Sequence, residues 1–200
     1  MNEDVTSMMP AVTRHLERLS ESIGKLPCRV HAYVAGGAAV NHHVGGRISN
    51  DVDIKWSHRI AIPPDLQVFT IEGESPETRN LIAMDGGFTD VLGSFPPGWE
   101  DRAEHVATAG DIVIHVIDPV DLAASKVARF QDRDRDDIRR LAQAGLVDPD
   151  LFEARVREAL DFYVGDTTFV QWNARDAEEI VRDAAPGLSN REDTLDDPSP

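Results

Sequence analysis

The sequence predicts a mixed α/β (α+β) chain: a small mixed sheet flanked by helices, followed by a helical C-terminal part. Three observations carry this expectation. Asp51 to Trp56 alternates polar with apolar residues, the period of a strand with one buried face. Arg29 to Val34 is rich in β-branched and aromatic residues and runs into Gly36-Gly37, after which Ala38-Ala39-Val40 favours a helix. Beyond Pro119 the apolar spacing changes from strand-like to helical. The expected organisation is therefore a strand–helix front over residues 1–118, a helical region over 119–185, and an acidic tail over 186–200. That tail offers nothing to bury and is expected to be disordered.

Element by element, residues 11–25 read as an amphipathic helix, with Val12, Leu16, Leu19 and Ile23 on one stripe and Gly24 and Pro27 closing it. The strand at Arg29–Val34 is followed by a helix that ends at Gly45-Gly46, and then by the strand at Asp51–Trp56. Pro63-Pro64 opens a connection to a strand at Leu66–Ile71. Arg79–Met84 and Phe88–Leu92 read as two short strands around a turn at Asp85-Gly86-Gly87. Phe95–Trp99 is a loop, and Asp111–Ile117 is a further strand. Helices are expected over Val120–Phe130, Asp136–Ala144, Asp150–Val164 and Asn173–Ala184.

Composition narrows the function classes. A single cysteine, Cys28, excludes an internal disulfide and a cysteine-rich zinc site. The first ten residues carry Glu3, Asp4 and Pro10 and no apolar stretch, and no apolar run is long enough to span a bilayer, so a cytoplasmic protein without membrane contact is expected. A net charge of −16 gives no general attraction for nucleic acid, which needs a local basic patch. Clustered carboxylates do suit divalent cations. Only three lysines occur, Lys25, Lys55 and Lys126, against seventeen arginines, so each lysine is easy to examine.

The chemistry concentrates in the stretch from Val34 to Ile54. A strand enters a Gly-Gly turn at a helix N-terminus, where free backbone N–H groups hold an anion and the missing Cβ atoms let a phosphate approach. The chain returns as a strand carrying Asp51 and Asp53 on one face, about 6–7 Å apart, a spacing at which both contact a Mg²⁺ ion or ion pair. Phosphate cradle and metal carboxylates on adjacent elements are what phosphoryl or nucleotidyl transfer requires.

Gly36-Gly37, a thirteen-residue spacer and Asp51-Val52-Asp53-Ile54 resemble the signature of the DNA polymerase beta-like nucleotidyltransferase superfamily. Arg47-Ile48-Ser49-Asn50 before the first aspartate resembles the Arg-x-Thr-x-Asp form of its AbiEii-like bacterial branch, with Ser49 in place of Thr. Asp121 to Arg129, followed by Arg133 to Ile138, is similar to the helical Lys and Arg-Asp block of that branch. The resemblance makes residues 1–118 a nucleotidyltransferase core and implies a Mg²⁺-dependent enzyme, with two ions expected. Such an enzyme moves an NMP from an NTP to an acceptor hydroxyl on tRNA, a protein or a small molecule. It also implies a third carboxylate on a later strand. Asp90, inside Phe88–Leu92, is the choice, and Asp85 at the preceding turn is its rival. Nucleotide-binding roles fall to Gly36, Gly37, Arg47, Ser49, Lys126, Arg129 and Asp137, with Lys126 also catalytic. AbiEii-like relatives act as toxins, so a cognate toxin or antitoxin partner is expected.

Bland readings stand beside these. Lys126 alone is a snorkelling surface lysine, and Asp132–Asp137 alone is a self-paired solvated face. Lys55 reads as a salt-bridge partner of the aspartates. His42 and His43 are neighbours on a helix, about 100° apart, and are not expected to form a metal pair. His58 shows no nucleophile partner, and no zinc or serine-hydrolase site is expected. Two further classes stay open: a degenerate nucleotidyltransferase fold acting as a regulatory module, and a partner-binding, antitoxin-like protein.

Overall fold

A computed structural model describes residues 7–72, 79–85 and 95–186 of the chain. The expected strand at 88–92, with Asp90, and the tail from 187 onward lie outside the described residues.

The chain opens with α1 (Met9–Ile23), which begins earlier than its apolar stripe because Pro10 is accommodated in the first turn. Gly24, at φ +70°, ends it. Val12, Leu16 and Leu19 lie in the core as the periodicity requires. Next come β1 (Val30–Val34), α2 (Gly36–Val44) and β2 (Asp51–Trp56). A 3₁₀ turn at Pro64–Leu66 shortens the following strand to β3 (Val68–Glu72), and β4 (Arg79–Asp85) pairs with it antiparallel. Asp85 therefore belongs to the end of a strand and not to a turn.

A short α3 (Trp99–Arg102) begins where only a loop was expected, and it leads into a strand that the residue pattern had not suggested, β5 (Glu104–Ala109). Glu-His-Val-Ala-Thr-Ala has little β-branched content. Its strand form is imposed by pairing with β6 (Ile112–Val116) across a two-residue turn whose Gly110 takes φ +59°.

The helical part comprises α4 (Pro119–Ser125), α5 (Asp132–Gln143), α6 (Pro149–Asp161) and α7 (Thr168–Ala184). Asp118 and Asp148 cap α4 and α6 through backbone N–H groups, with Pro at the first helical position in each. The helix expected to reach Phe130 stops at Ser125, and Phe130 itself takes φ +47°. α5 starts earlier than expected because a reciprocal cap between Gln131 and Asp134 satisfies its first turn.

The sheet order is β3-β4-β2-β1-β6-β5. β1 runs parallel to β6 and β2 parallel to β4, while β1–β2, β3–β4 and β5–β6 are antiparallel. This is the small mixed sheet the sequence predicts. Val52, Ile54, Val34, Ile114 and Val116 are almost fully buried on one face, within a hydrophobic core that continues through Leu122, Ile138, Leu141 and Phe152 to Val181. The alternate residues Asp51, Asp53 and Lys55 occupy the other face of β2. No helix among the described residues is long and apolar enough to cross a membrane.

Candidate functional site

The glycine turn and the acidic strand meet. Ala35, the extended residue before α2, donates its N–H to the Asp53 carbonyl at 2.9 Å, fastening the start of the helix to β2. Gly36 follows at φ +58°, a region that disfavours side chains, and a Cβ there would fall on the Asp53 carboxylate. A Cβ on Gly37 would come within 2.8 Å of Ser49 Oγ. Gly36 is thus required by its backbone and by close approach, while a side chain at Gly37 would displace the Ser49 hydroxyl. Ala35, the N-cap, supplies no side-chain acceptor to the first turn of α2.

Ser49 orients the first aspartate: its buried hydroxyl donates to Asp51 Oδ1 at 2.7 Å. The loop that carries it is held from behind. Buried Asn41 accepts from the Met8 N–H at 2.8 Å and reaches the Gly46 and Arg47 carbonyls. Arg140 of α5 donates to the Gly45 carbonyl.

The second sequence block arrives from α4 and α5. Lys126 is the C-cap of α4, only 7 % exposed, and its Nζ lies 2.8 Å from Asp137 Oδ2 and 3.8 Å from Asp134 Oδ1. Arg129 lies in the turn after α4 and holds Asp134 with two hydrogen bonds of 2.8 and 2.7 Å. Burial pushes the Asp134 carboxyl up, but Arg129, the Gln131 N–H and the Lys126 charge outweigh it and hold the group below its usual range. The Arg129 guanidinium is raised, first by its hydrogen bonds to Asp134 and further by the charges of Asp53 and Asp137. That coupling links the α4–α5 turn to the carboxylate strand. Arg47 closes the ring: its Nη2 is 3.5 Å from Asp137 Oδ1 and 3.9 Å from the Cβ position of Gly37. Asp137 Oδ1 is buried and accepts no hydrogen bond among the described residues.

Residues 36, 37, 47, 49, 51, 53, 126, 129 and 137 are therefore drawn together from two sequence blocks. The solvated-face reading of the acidic run fails for Asp134 and Asp137, which are buried and paired. Asp121 of the same block is buried too, gripped by Arg102 Nε at 2.6 Å and by Arg155 at 3.4 Å, so it braces α4 against α3 and α6. Burial pushes its carboxyl up, against the opposing pull of Arg102.

Of the two choices for a third carboxylate, Asp90 lies outside the described residues. Asp85 is the register partner of Asp53 across the parallel β2–β4 pairing. The Asp-Gly-Gly triplet disguised this as a turn.

The same face of the sheet continues into residues that sequence reasoning passed over. Tyr33 is the register partner of Lys55, and His115 that of Tyr33. Tyr33 packs against His115 at 4.9 Å and Trp99 at 5.0 Å between ring centroids, and His31 Nδ1 contacts His115 Nε2 at 2.9 Å. The alternation of Val30 to Val34 was the available signal.

His42 and His43 do converge, with ring centroids 5.1 Å apart, and Glu104 joins them so that one ligand atom from each lies within 4.8 Å of the others. The third group comes from β5, the strand the residue pattern did not suggest.

With this geometry in hand, comparison with known proteins gives one match. The family model described as "Nucleotidyltransferase of unknown function (DUF6036)" matches residues 14–177. No curated protein matches the chain. The match spans most of the chain, which therefore belongs to this nucleotidyltransferase family.

Proposed function

Taking that membership as the premise, we propose that the chain is a Mg²⁺-dependent enzyme that transfers an NMP from an NTP to an acceptor hydroxyl. The observation that carries this reading is the fit between Gly36 and Asp53. Backbone N–H groups suited to phosphate and carboxylates suited to a divalent cation occupy one place, and only a residue without Cβ allows it.

The residues fit the metal that the family implies. Asp51 and Asp53 share a face of β2, Ser49 orients Asp51, and the backbone register sets Asp85 beside Asp53. Asp51 and Asp53 would hold Mg²⁺, with a third carboxylate from Asp90 or its rival Asp85, two ions being expected. When bound, the cation neutralises phosphate charge and favours the ionised form of an attacking hydroxyl.

The start of α2 seats the β- and γ-phosphates. Arg47 and Arg129, 38 % and 61 % exposed, are the cations available to meet them from outside. Lys126 serves a different purpose in this reading: its ammonium is committed to Asp137 and Asp134, so it positions α5, and through Asp137 it positions Arg47. The acceptor oxygen attacks the α-phosphorus in line. The new O–P bond forms as the bond to pyrophosphate breaks, and the hydroxyl proton passes to a carboxylate of the acidic set.

A protein or small-molecule hydroxyl suits the acceptor role better than tRNA. The net charge of −16 disfavours nucleic acid, and of the arginines on α5, Arg140 is committed to the Gly45 carbonyl and Arg135 lies over the Phe130 ring. The AbiEii-like placement and a toxin role rest on the Arg47–Asp53 and Lys126–Arg129 sequence blocks alone.

The test is calorimetric titration of the purified chain with each NTP and Mg²⁺, beside Asp51→Ala/Asp53→Ala, followed by a labelled-nucleotide screen for acceptors. Metal-dependent binding lost in the folded double variant supports the enzyme. A folded wild-type chain that binds no NTP overturns it. A second reading, a partner-binding module, is favoured by Phe162, Val164, Phe169 and Trp172, all strongly exposed around the α6–α7 connection. Substituting Phe169 and Trp172 by Ser separates the two readings: NTP binding survives, while association with a partner does not.

A further inference from the structure

We propose that the chain carries a second metal site, for a borderline divalent ion of the zinc class, made by His42, His43 and Glu104 at the far end of α2 from the glycine turn. The proposal is independent of the nucleotidyl-transfer reading and shares no residue with it.

Three elements build the site. His42 and His43 occupy the last turn of α2, whose C-terminal carbonyls favour a cation. Glu104 is the first residue of β5, set there by its pairing with Val116 of β6. His43 Nε2 lies 2.8 Å from the carbonyl of Ile117, just beyond β6. A carbonyl only accepts, so Nε2 carries the proton and Nδ1 keeps its lone pair. This is the outer contact by which proteins fix the tautomer of a metal-binding histidine.

The distances suit a tetrahedral ion. Zinc bonds of about 2.0–2.2 Å hold ligand atoms about 3.3–3.5 Å apart. His42 Nε2 and Glu104 Oε2 stand 3.5 Å apart, and a ring nitrogen of His43 lies within 4.8 Å of a ligand atom of each. Two imidazoles and one carboxylate match zinc in preference to Mg²⁺, which takes oxygen ligands. Three protein ligands leave a fourth position for water. Bound there, the ion ties the end of α2 to the outer strand of the sheet.

The test uses tag-free full-length chain, stripped with chelator and titrated with Zn²⁺ against a chromogenic competitor. It is run in the wild type and in an Asp51→Asn/Asp53→Asn background, so that zinc held by the β2 carboxylates is not counted. One zinc per chain is expected in both, with a four-coordinate visible spectrum when Co²⁺ replaces it. His42→Gln and Glu104→Gln alter side chains 23 % and 60 % exposed, so the fold should persist. Each should weaken binding by about tenfold or more. Folded wild-type chain that binds no stoichiometric zinc overturns the proposal, as does unchanged affinity in the His42→Gln/Glu104→Gln double variant.

Discussion

The acidic strand β2 and the acidic helix α5 face the same place but handle their carboxylates in opposite ways. On β2, Asp51 is exposed and is oriented by a neutral hydroxyl, Ser49. On α5, Asp134 and Asp137 are buried and matched to the cations Lys126, Arg129 and Arg47. A carboxylate held by a neutral partner keeps its negative charge available to an incoming cation. One held by ammonium or guanidinium has its charge cancelled and acts as a brace. The difference separates chemistry from scaffolding within one cluster.

The largest effect that would break this comparison concerns the brace. Lys126→Met leaves Asp137 and Asp134 buried without their ammonium, and should cost about 3–5 kcal/mol of stability. Urea unfolding measures it, and a cost near zero would mean that the pair is not buried in solution. Next comes Asp53→Asn. Losing a metal-held charge worth several kcal/mol should lower nucleotidyl transfer on the order of 10³-fold, with little change in the urea midpoint. A large loss of stability instead would place Asp53 with the scaffold.

Ser49→Ala sharpens the contrast at smaller scale. Removing the group that orients Asp51 should weaken Mg²⁺-dependent NTP binding by about 10–100-fold. Titration of the folded variant checks this. The smallest effect is acid sensitivity. Asp134 sits below its usual range in the folded chain, so its contribution is full above the unfolded carboxylate value of about 3.9 and fades as pH falls through the folded value. Stability measured from pH 5 to pH 3 should therefore fall, and should fall less steeply in Asp134→Asn.

Much of the carboxylate side was legible because it is local. The alternation of Asp51–Trp56 and the glycines before α2 each declare themselves within a few residues, and the structure sets them against one another. The brace was less legible. Apart from the family resemblance, Lys126 and Asp137 read as surface groups, because their burial depends on α4 stopping at Ser125 and on Phe130 taking a positive φ, neither of which periodicity encodes. Asp85 was taken for a turn residue because Asp-Gly-Gly is turn chemistry, whereas pairing with β2 extends the strand to include it. The histidine–glutamate cluster was hidden for a related reason: its third member lies on β5, a strand specified by its partner more than by its own residues.

The order of strands also governs how the chain acquires its structure. A parallel pair joins β1 near the start to β6, whose partners run from Val30↔Ile112 to Val34↔Val116. Until residue 116 has emerged from the ribosome, β1 has β2 on one side and an open edge on the other. The front of the sheet is thus a late, long-loop closure, slow by contact order and exposed to mispairing while it waits. Synthesis of residues 35–116 is the interval over which that edge stays open.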